Sequence, residues 1–221
     1  MYASDVFRSN GGDLEITFIG HGTLMFSYSN LVVHVDPTSM FGDYSKLPKA
    51  DLILITHEHH DHLDKELVEN LHKDGTVVIG NSAVAQQVAD CIMMKNGDVK
   101  DVHGLRIEAV PAYNIQHMRS PGTPFHPPGV GNGYVVTFGD LRVYIAGDTE
   151  NIPEMEKLED IDISFLPMNL PYTMTPEMVA DSVRMFQPKV VYPYHFGDTD
   201  TSKLETLLAD SDVEVRIRDL K

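Results

Sequence analysis

Within the six residues from His57 to His62, the side chains of His57, His59, Asp61 and His62 offer three imidazoles and one carboxylate. That mixture of nitrogen and oxygen donors suits zinc, and iron or manganese where a position is richer in oxygen. The run could also be a solvated His-rich loop, but its context favours a metal site. Asp51-Leu-Ile-Leu-Ile-Thr56 immediately before it is a short apolar run of the kind that forms a buried strand. A strand that stops at such a cluster delivers its donors to a sheet edge, where open α/β folds place their sites. Two more strand ends offer donors. Asp148 follows Val143-Tyr-Ile-Ala-Gly147, and His195 follows Val190-Val-Tyr-Pro-Tyr194.

The elements that would position these residues can be read along the chain. Leu14–Ile19, Thr23–Tyr28 and Leu31–Val35 form an N-terminal meander with turns at Gly20-His-Gly22 and Ser29-Asn30. The buried run at 51–56 is followed by a helix from Asp64, its cap, to His72, a strand at Val77–Ile79, and a helix over Ser82–Cys91 with Ser82 as N-cap. Leu105–Val110 is another strand. After residue 133, Tyr134–Phe138 and Leu141–Ala146 flank the two-residue turn Gly139-Asp140. A helix at Pro153–Leu158, a strand at Ile161–Leu166 and a helix opening at Thr175-Pro176-Glu177 come next, with Thr as cap and Pro at the first position. Strand Val190–Pro193, a helix near Ser202–Leu208 and strand Val213–Ile217 complete the series. Strands therefore pair as hairpins early in each half and alternate with helices later. Two packed sheets with helices outside would bury all of these runs. A single domain over residues 1–221 follows, made of two similarly ordered halves joined by the Pro/Gly-rich segment 111–133. A segment of that length is a functional loop or a linker, and its two histidines and two aromatics favour function.

The chain has 221 residues, a formal net charge of -16 and one cysteine, Cys91. This charge argues against nucleic acid as a partner, because phosphate backbones are met by clustered Lys and Arg. A single cysteine excludes an intramolecular disulfide, and Cys91 reads as a small buried hydrophobe. The N-terminal residues lack a signal-peptide pattern, and no apolar stretch approaches the roughly 20 residues of a membrane span. The expectation is a cytoplasmic protein acting on a small-molecule substrate, with self-association into a homo-oligomer left open.

The order of His-x-His-x-Asp-His, a loop histidine, Gly-Asp after a strand and a late histidine after a strand resembles the metallo-β-lactamase superfamily. Phe18-Ile-Gly-His-Gly-Thr23, Val32-Val-His-Val-Asp-Pro37, Ala146-Gly-Asp-Thr149 and Met174-Thr-Pro-Glu177 resemble, more narrowly, the branch of metal-dependent hydrolases related to ascorbate-6-phosphate lactonase. The likeness runs from about Leu14 to the C-terminus. It implies an α/β (α+β) fold, a four-layer αββα sandwich of two mixed sheets, and two adjacent divalent metal ions, zinc foremost with manganese or iron as alternatives. His57 and His59 would hold the first metal with a histidine of the 111–133 loop, Asp61, His62 and His195 the second, and Asp148 would bridge them. In many relatives the loop ligand directly follows Pro-Ala-x, a slot that is Asn114 here. His126, stiffened by nearby prolines, is then preferred over His117 as the third imidazole. Asp36 and His21 are candidates for orienting the ligands, with a capped Asp-Pro turn as the plain alternative for Asp36. His34, His60, His72 and His103 read as surface or ordinary structural residues.

The chemistry so implied is hydrolysis by a metal-bridging hydroxide attacking an ester-type (lactone) or phosphodiester substrate. Asp61 would serve as the catalytic proton carrier. Tyr113, Asn114 and Tyr194 are possible polar groups of the pocket, and Arg119 is the nearest cation for an anionic substrate. The competing readings are a non-catalytic metal-binding relative, a di-iron redox enzyme of the same fold and a nuclease. The redox branch carries Glu where this chain has His59, and a nuclease would need basic surface.

Overall fold

The computed structural model describes residues 2–221. Seven strands in sequence order build the first sheet: β1 (Ala3–Phe7), β2 (Leu14–Gly20), β3 (Thr23–Tyr28), β4 (Leu31–Val35), β5 (Leu52–Leu54), β6 (Val77–Gly80) and β7 (Ile92–Met93). The first four pair antiparallel through short turns, and β4 to β7 pair parallel. The second sheet runs in the order β8 (Val99–Val102), β9 (Leu105–Ala112), β12 (Gly131–Phe138), β13 (Leu141–Ile145), β14 (Ile163–Pro167), β15 (Val190–Tyr194) and β16 (Glu214–Val215). It too is antiparallel over its first four strands and parallel over the rest. Between β9 and β12 a small hairpin, β10 (Met118–Ser120) with β11 (Thr123–Pro124), stands apart from both sheets.

Burial follows the residue pattern. One apolar cluster joins the inner faces of both sheets, with Leu14, Phe26, Leu52, Tyr134, Val143 and Phe165 fully or nearly fully buried. It extends to α3 (Pro176–Phe186), whose Val179 and Val183 cover the outer face of the second sheet. A second cluster packs Met25, Ile53 and Ile55 of the first sheet's other face against Val68 and Leu71 of α1 (Lys65–Leu71) and Val84 of α2 (Ser82–Ala85). With α4 (Ser202–Leu207) beside α3, the layers are helix, sheet, sheet, helix. Strands β5, β14 and β15 are buried along their whole length, which is why they read as continuous apolar runs. Among the described residues no helix is long and apolar enough to cross a membrane.

Several elements differ from the sequence expectation. The helix expected over Ser82–Cys91 is a single turn capped by Asn81, whose side chain accepts from Val84 N. The left-handed Asp90 (φ 55°) then turns the chain so that Ile92-Met93 joins β6 as an edge strand. Pro153–Lys157 is a 3-10 turn instead of an α-helix. Strands β1, β7, β8, β10 and β11 carry no strong alternation, so the residue pattern does not mark them. Gly131-Asn-Gly133, read as loop, is buried strand: a Cβ on Gly131 would lie 2.9 Å from the Ala112 carbonyl oxygen and one on Gly133 2.7 Å from that of Ala146. Here glycine permits close strand approach instead of flexibility.

Candidate metal centre

The donor side chains emerge where strands end. β4 runs into Asp36, β5 into Thr56 and the turn at 57–62, β13 into Asp148, and β15 into His195, while His21 sits in the tight connection from β2 to β3. His21, Asp36 and His195 have left-handed backbones, with φ of 54°, 44° and 49°. Such conformations persist only where the surroundings impose them, and they concentrate at functional sites.

The donors fall into two sets that meet at Asp148. Asp148 Oδ2 lies 3.3 Å from His126 Nε2 and 3.8 Å from His57 Nε2, which is itself 3.0 Å from His59 Nδ1. Asp148 Oδ1 lies 3.4 Å from His62 Nε2 and 3.5 Å from His195 Nε2. Asp61 Oδ2 closes this second set at 3.5 Å from His195 Nε2 and 3.7 Å from His62 Nε2. A tetrahedral shell with metal–ligand bonds of about 2.0–2.1 Å has donor–donor edges of about 3.3 Å, so the two sets are spaced like two such shells. His62 Nε2, Asp148 Oδ1 and both ring nitrogens of His195 are buried without a hydrogen-bond partner. Orphaned polar atoms are expensive singly, and a cation amid each set would satisfy those that face it. The residues present therefore fit two divalent metal ions.

Neighbouring groups fix which ring nitrogen faces inward. His62 Nδ1 donates to Asp36 Oδ2 at 2.8 Å. Asp36 is fully buried and accepts from Thr56 N at 2.7 Å and Thr56 Oγ1 at 2.6 Å. Thr56 Oγ1 in turn accepts from His57 Nδ1 at 3.1 Å. Asn114 Oδ1 accepts from His126 N at 2.8 Å and from His126 Nδ1 at 2.7 Å. For each ring, giving the Nδ1 proton to a neighbour leaves the Nε2 lone pair directed at the site. Gly22 makes room for this packing, since a Cβ there would meet His62 Cε1 at 2.9 Å.

The electrostatics point the same way. Burial alone would raise the carboxyls of Asp61 and Asp148, but the imidazoles around them hold both well below the usual carboxylate range. Burial and the neighbouring imidazole of His62 push His57 well down. His62 is drawn well above its ordinary value, against the effect of its burial, by Asp148 and Asp36. The two carboxylates thus draw positive charge into the site, here from the imidazoles themselves.

The other expected residues separate clearly. Of the two loop histidines, His126 enters the cluster, whereas His117 turns away and donates through Nδ1 to Glu150 Oε1 at 2.6 Å. His21 Nε2 lies 3.4 Å from Asp61 Oδ2, and its ring stacks on Phe41 at 4.1 Å and lies 3.7 Å from that of His195. His60, His72 and His103 are exposed, and Asp64 caps α1. His34 is no surface residue; it is fully buried, with Nε2 donating to the Pro48 carbonyl at 3.1 Å. Tyr113 points its hydroxyl to Glu154, and the Tyr194 hydroxyl accepts from Gly147 N at 2.8 Å, steadying the residue before Asp148. Glu150 escaped notice in the sequence. It is fully buried and accepts from the backbone N–H of Ile115, Gln116 and His117, each at 2.7 Å, and from Asn114 Nδ2 at 3.1 Å. A lone Glu after Gly-Asp-Thr gives no signal of that role.

The comparisons with known proteins agree with this architecture. The family model of the beta-lactamase superfamily domain matches residues 15–195. A UPF0173 metal-dependent hydrolase of Methanopyrus kandleri is 30% identical over 228 residues, covering 92% of this chain and 96% of its own. The chain thus belongs to the beta-lactamase superfamily, in its family of UPF0173 metal-dependent hydrolases. Among solved structures, a protein of Parabacteroides distasonis assigned as a metal-dependent hydrolase superposes with a TM-score of 0.96 at 49% identity over 100% of both chains. Igni18, a metallo hydrolase of Ignicoccus hospitalis, shares the fold with a TM-score of 0.75 at 24% identity over 94% of this chain and 95% of its own.

Proposed function

We propose that this metal-dependent hydrolase is binuclear and cleaves an ester-type bond, a lactone foremost, or a phosphodiester in a small molecule. Two divalent cations, zinc first and manganese or iron next, would be held by His57, His59, His126 and Asp148 Oδ2 on one side, and by Asp61, His62, His195 and Asp148 Oδ1 on the other. The observation that carries this reading is the pair of donor sets sharing the two oxygens of Asp148. Such a pair of cations polarises a carbonyl or phosphoryl oxygen and brings the pKa of a water toward neutrality.

The chain's own residues do the rest. Asp61 is the catalytic carboxylate. Its Oδ2 belongs to the second set, while Oδ1 lies on the open side, 3.9 Å from His60, in a side chain 24% exposed. Oδ1 is thus placed to take a proton from the attacking water and hand it to the leaving oxygen. Asp36, Thr56 and Asn114 hold three imidazoles with Nε2 inward, so no reorganisation is needed as charge develops. A first set of three imidazoles and one carboxylate oxygen favours zinc-type hydrolysis over di-iron redox chemistry.

Elemental analysis of the purified chain tests the core of the proposal, with about two equivalents of metal expected and about one in His126→Ala. No retained metal after reconstitution with zinc, manganese and iron would overturn it, as would full turnover in Asp61→Ala. A panel of lactones beside bis(p-nitrophenyl) phosphate then separates ester from phosphodiester hydrolysis.

A further inference from the structure

A cavity of about 520 Å³ opens over the donor sets, with His21, Asp61, Asp148 and His195 among its lining and Met40, Phe41 and Tyr172 as apolar wall. Arg119 is the one Lys or Arg along that lining among the described residues. It comes from the β10–β11 hairpin, and its guanidinium lies over the Phe125 ring, 5.8 Å from the centroid. Phe125 in turn meets Tyr172 edge-on at 5.1 Å, and His126 follows directly. The arginine therefore lies against an aromatic pair that adjoins the donor loop.

Two features set Arg119 apart. The chain carries 33 acidic against 17 basic side chains, and Arg106, Arg142, Arg184, Arg216 and Arg218 each hold a carboxylate. Among the described residues Arg119 holds none; Arg8 holds none either, but it does not line this cavity. A guanidinium left unpaired on an acidic protein, at the mouth of a cavity, is a free planar fork for an oxyanion. Apolar side chains flank it in an otherwise polar lining. Met40 and Tyr172 of that lining, and Met118 next to Arg119 in the chain, are among the nine large apolar side chains that the described residues leave exposed. Exposed apolar residues gathered around a pocket mark a binding surface.

We propose that the substrate is an amphiphilic oxyanion: an ester whose apolar body lies against the Met40–Phe41–Tyr172 wall and whose far end is a carboxylate or phosphate-type group gripped by Arg119. This rests on the hydrolase reading above and names its substrate class.

The test is calorimetric titration of the metal-loaded chain with monomethyl adipate, methyl 6-phosphonohexanoate and neutral dimethyl adipate. Wild type is expected to bind at least one anion tenfold or more tighter than the diester. Arg119→Ala should lose that preference, Arg119→Lys should retain part of it, and Arg184→Ala, on the far surface, should keep all of it. The anion more sensitive to Arg119 tells carboxylate from phosphonate. Equal binding of anions and diester by wild type, or an undiminished preference in Arg119→Ala, overturns the proposal. Turnover of p-nitrophenyl acetate judges the hydrolase reading separately. Preference that depends on Arg119 in a chain without turnover would sink that reading and leave the oxyanion site standing.

Discussion

Replacing Glu150 by Gln exchanges one carboxylate oxygen for an amide NH2 and should loosen the whole loop behind the first donor set. The carboxylate is fully buried. Its Oε2 accepts from Ile115 N and Gln116 N, and its Oε1 from His117 N, His117 Nδ1 and Asn114 Nδ2. Burial favours the neutral acid, but these donors outweigh it and hold the pKa below the ordinary glutamate value. A glutamine has one oxygen. In its least damaging orientation the amide nitrogen replaces Oε2, so two backbone N–H groups lose their acceptor and face another donor. At about 1–3 kcal/mol for each stranded buried donor, the loss is about 2–6 kcal/mol. At roughly 2–4 °C per kcal/mol for a chain of this size, a mid-range loss lowers the melting temperature by roughly 8–16 °C. Residues 114–117 then shift, Asn114 releases His126 Nδ1, and affinity at the first set should fall about 10–100-fold, as for other orienting groups. Urea unfolding of the metal-free protein and competitive metal titration read the two effects apart. The control is Glu154→Gln, where one partly exposed hydrogen bond from Tyr113 is at stake and the cost should be about 1 kcal/mol. A Glu150→Gln protein within about 1 kcal/mol of wild type would refute the idea that this carboxylate organises the loop.

Three further changes follow from the same geometry. Gly22→Ala puts a methyl 2.9 Å from His62 Cε1, and Asp36 prevents the ring from moving away, so metal titration should show second-set affinity at least about tenfold lower with the far-UV spectrum unchanged. His34 is held neutral by burial, its pKa pushed down to about 4. The unfolded chain takes up this proton below about 6.5, so stability present at neutral pH falls by about 3 kcal/mol as pH drops from 6.5 to 4; urea midpoints against pH should lose this part of the slope in His34→Gln. Asp5 ties β1 to the chain's end, accepting from Arg218 Nη2 at 2.7 Å, Arg216 Nη1 at 3.3 Å and the Tyr192 hydroxyl; Asp5→Asn should cost about 2 kcal/mol in a urea melt, allowing for partial exposure of the pair.

Wherever a single local rule governs an element, the sequence announces it. The buried parallel strands stand out as apolar runs, Thr175-Pro176-Glu177 announces a helix start, and Gly139-Asp140 announces a hairpin. The cassette at 57–62 is legible because its donors are adjacent in the chain. Residues whose role depends on what lies opposite them are another matter. Asn132 and Glu150 are buried polar groups matched to partners far away in sequence, and no local pattern encodes that match. Edge strands such as β7 and β8 have few apolar neighbours to impose alternation, so they read as loop. Asn114 is intermediate. Its departure from the ligand slot is visible in the chain, but its part as the acceptor that orients His126 appears only when residues 114 and 126 are brought together.

The strand order explains why one carboxylate can serve two donor sets. Each sheet begins with four antiparallel strands and continues with three parallel ones, so β4 matches β13 and the ends of these fourth strands are equivalent places. Asp36 stands just past the first end and Asp148 just past the second. The sheets pack with these ends on either side of His62, whose Nδ1 donates to Asp36 at 2.8 Å while its Nε2 faces Asp148 Oδ1 at 3.4 Å. One of these equivalent acids therefore fixes the His62 ring from behind, and the other meets it from the front. The turn at 57–62 follows the next strand, β5, and so falls between them. Swapping the two roles would require His62 to turn over and give up its hydrogen bond to Asp36, a carboxylate that Thr56 N and Oγ1 hold in place.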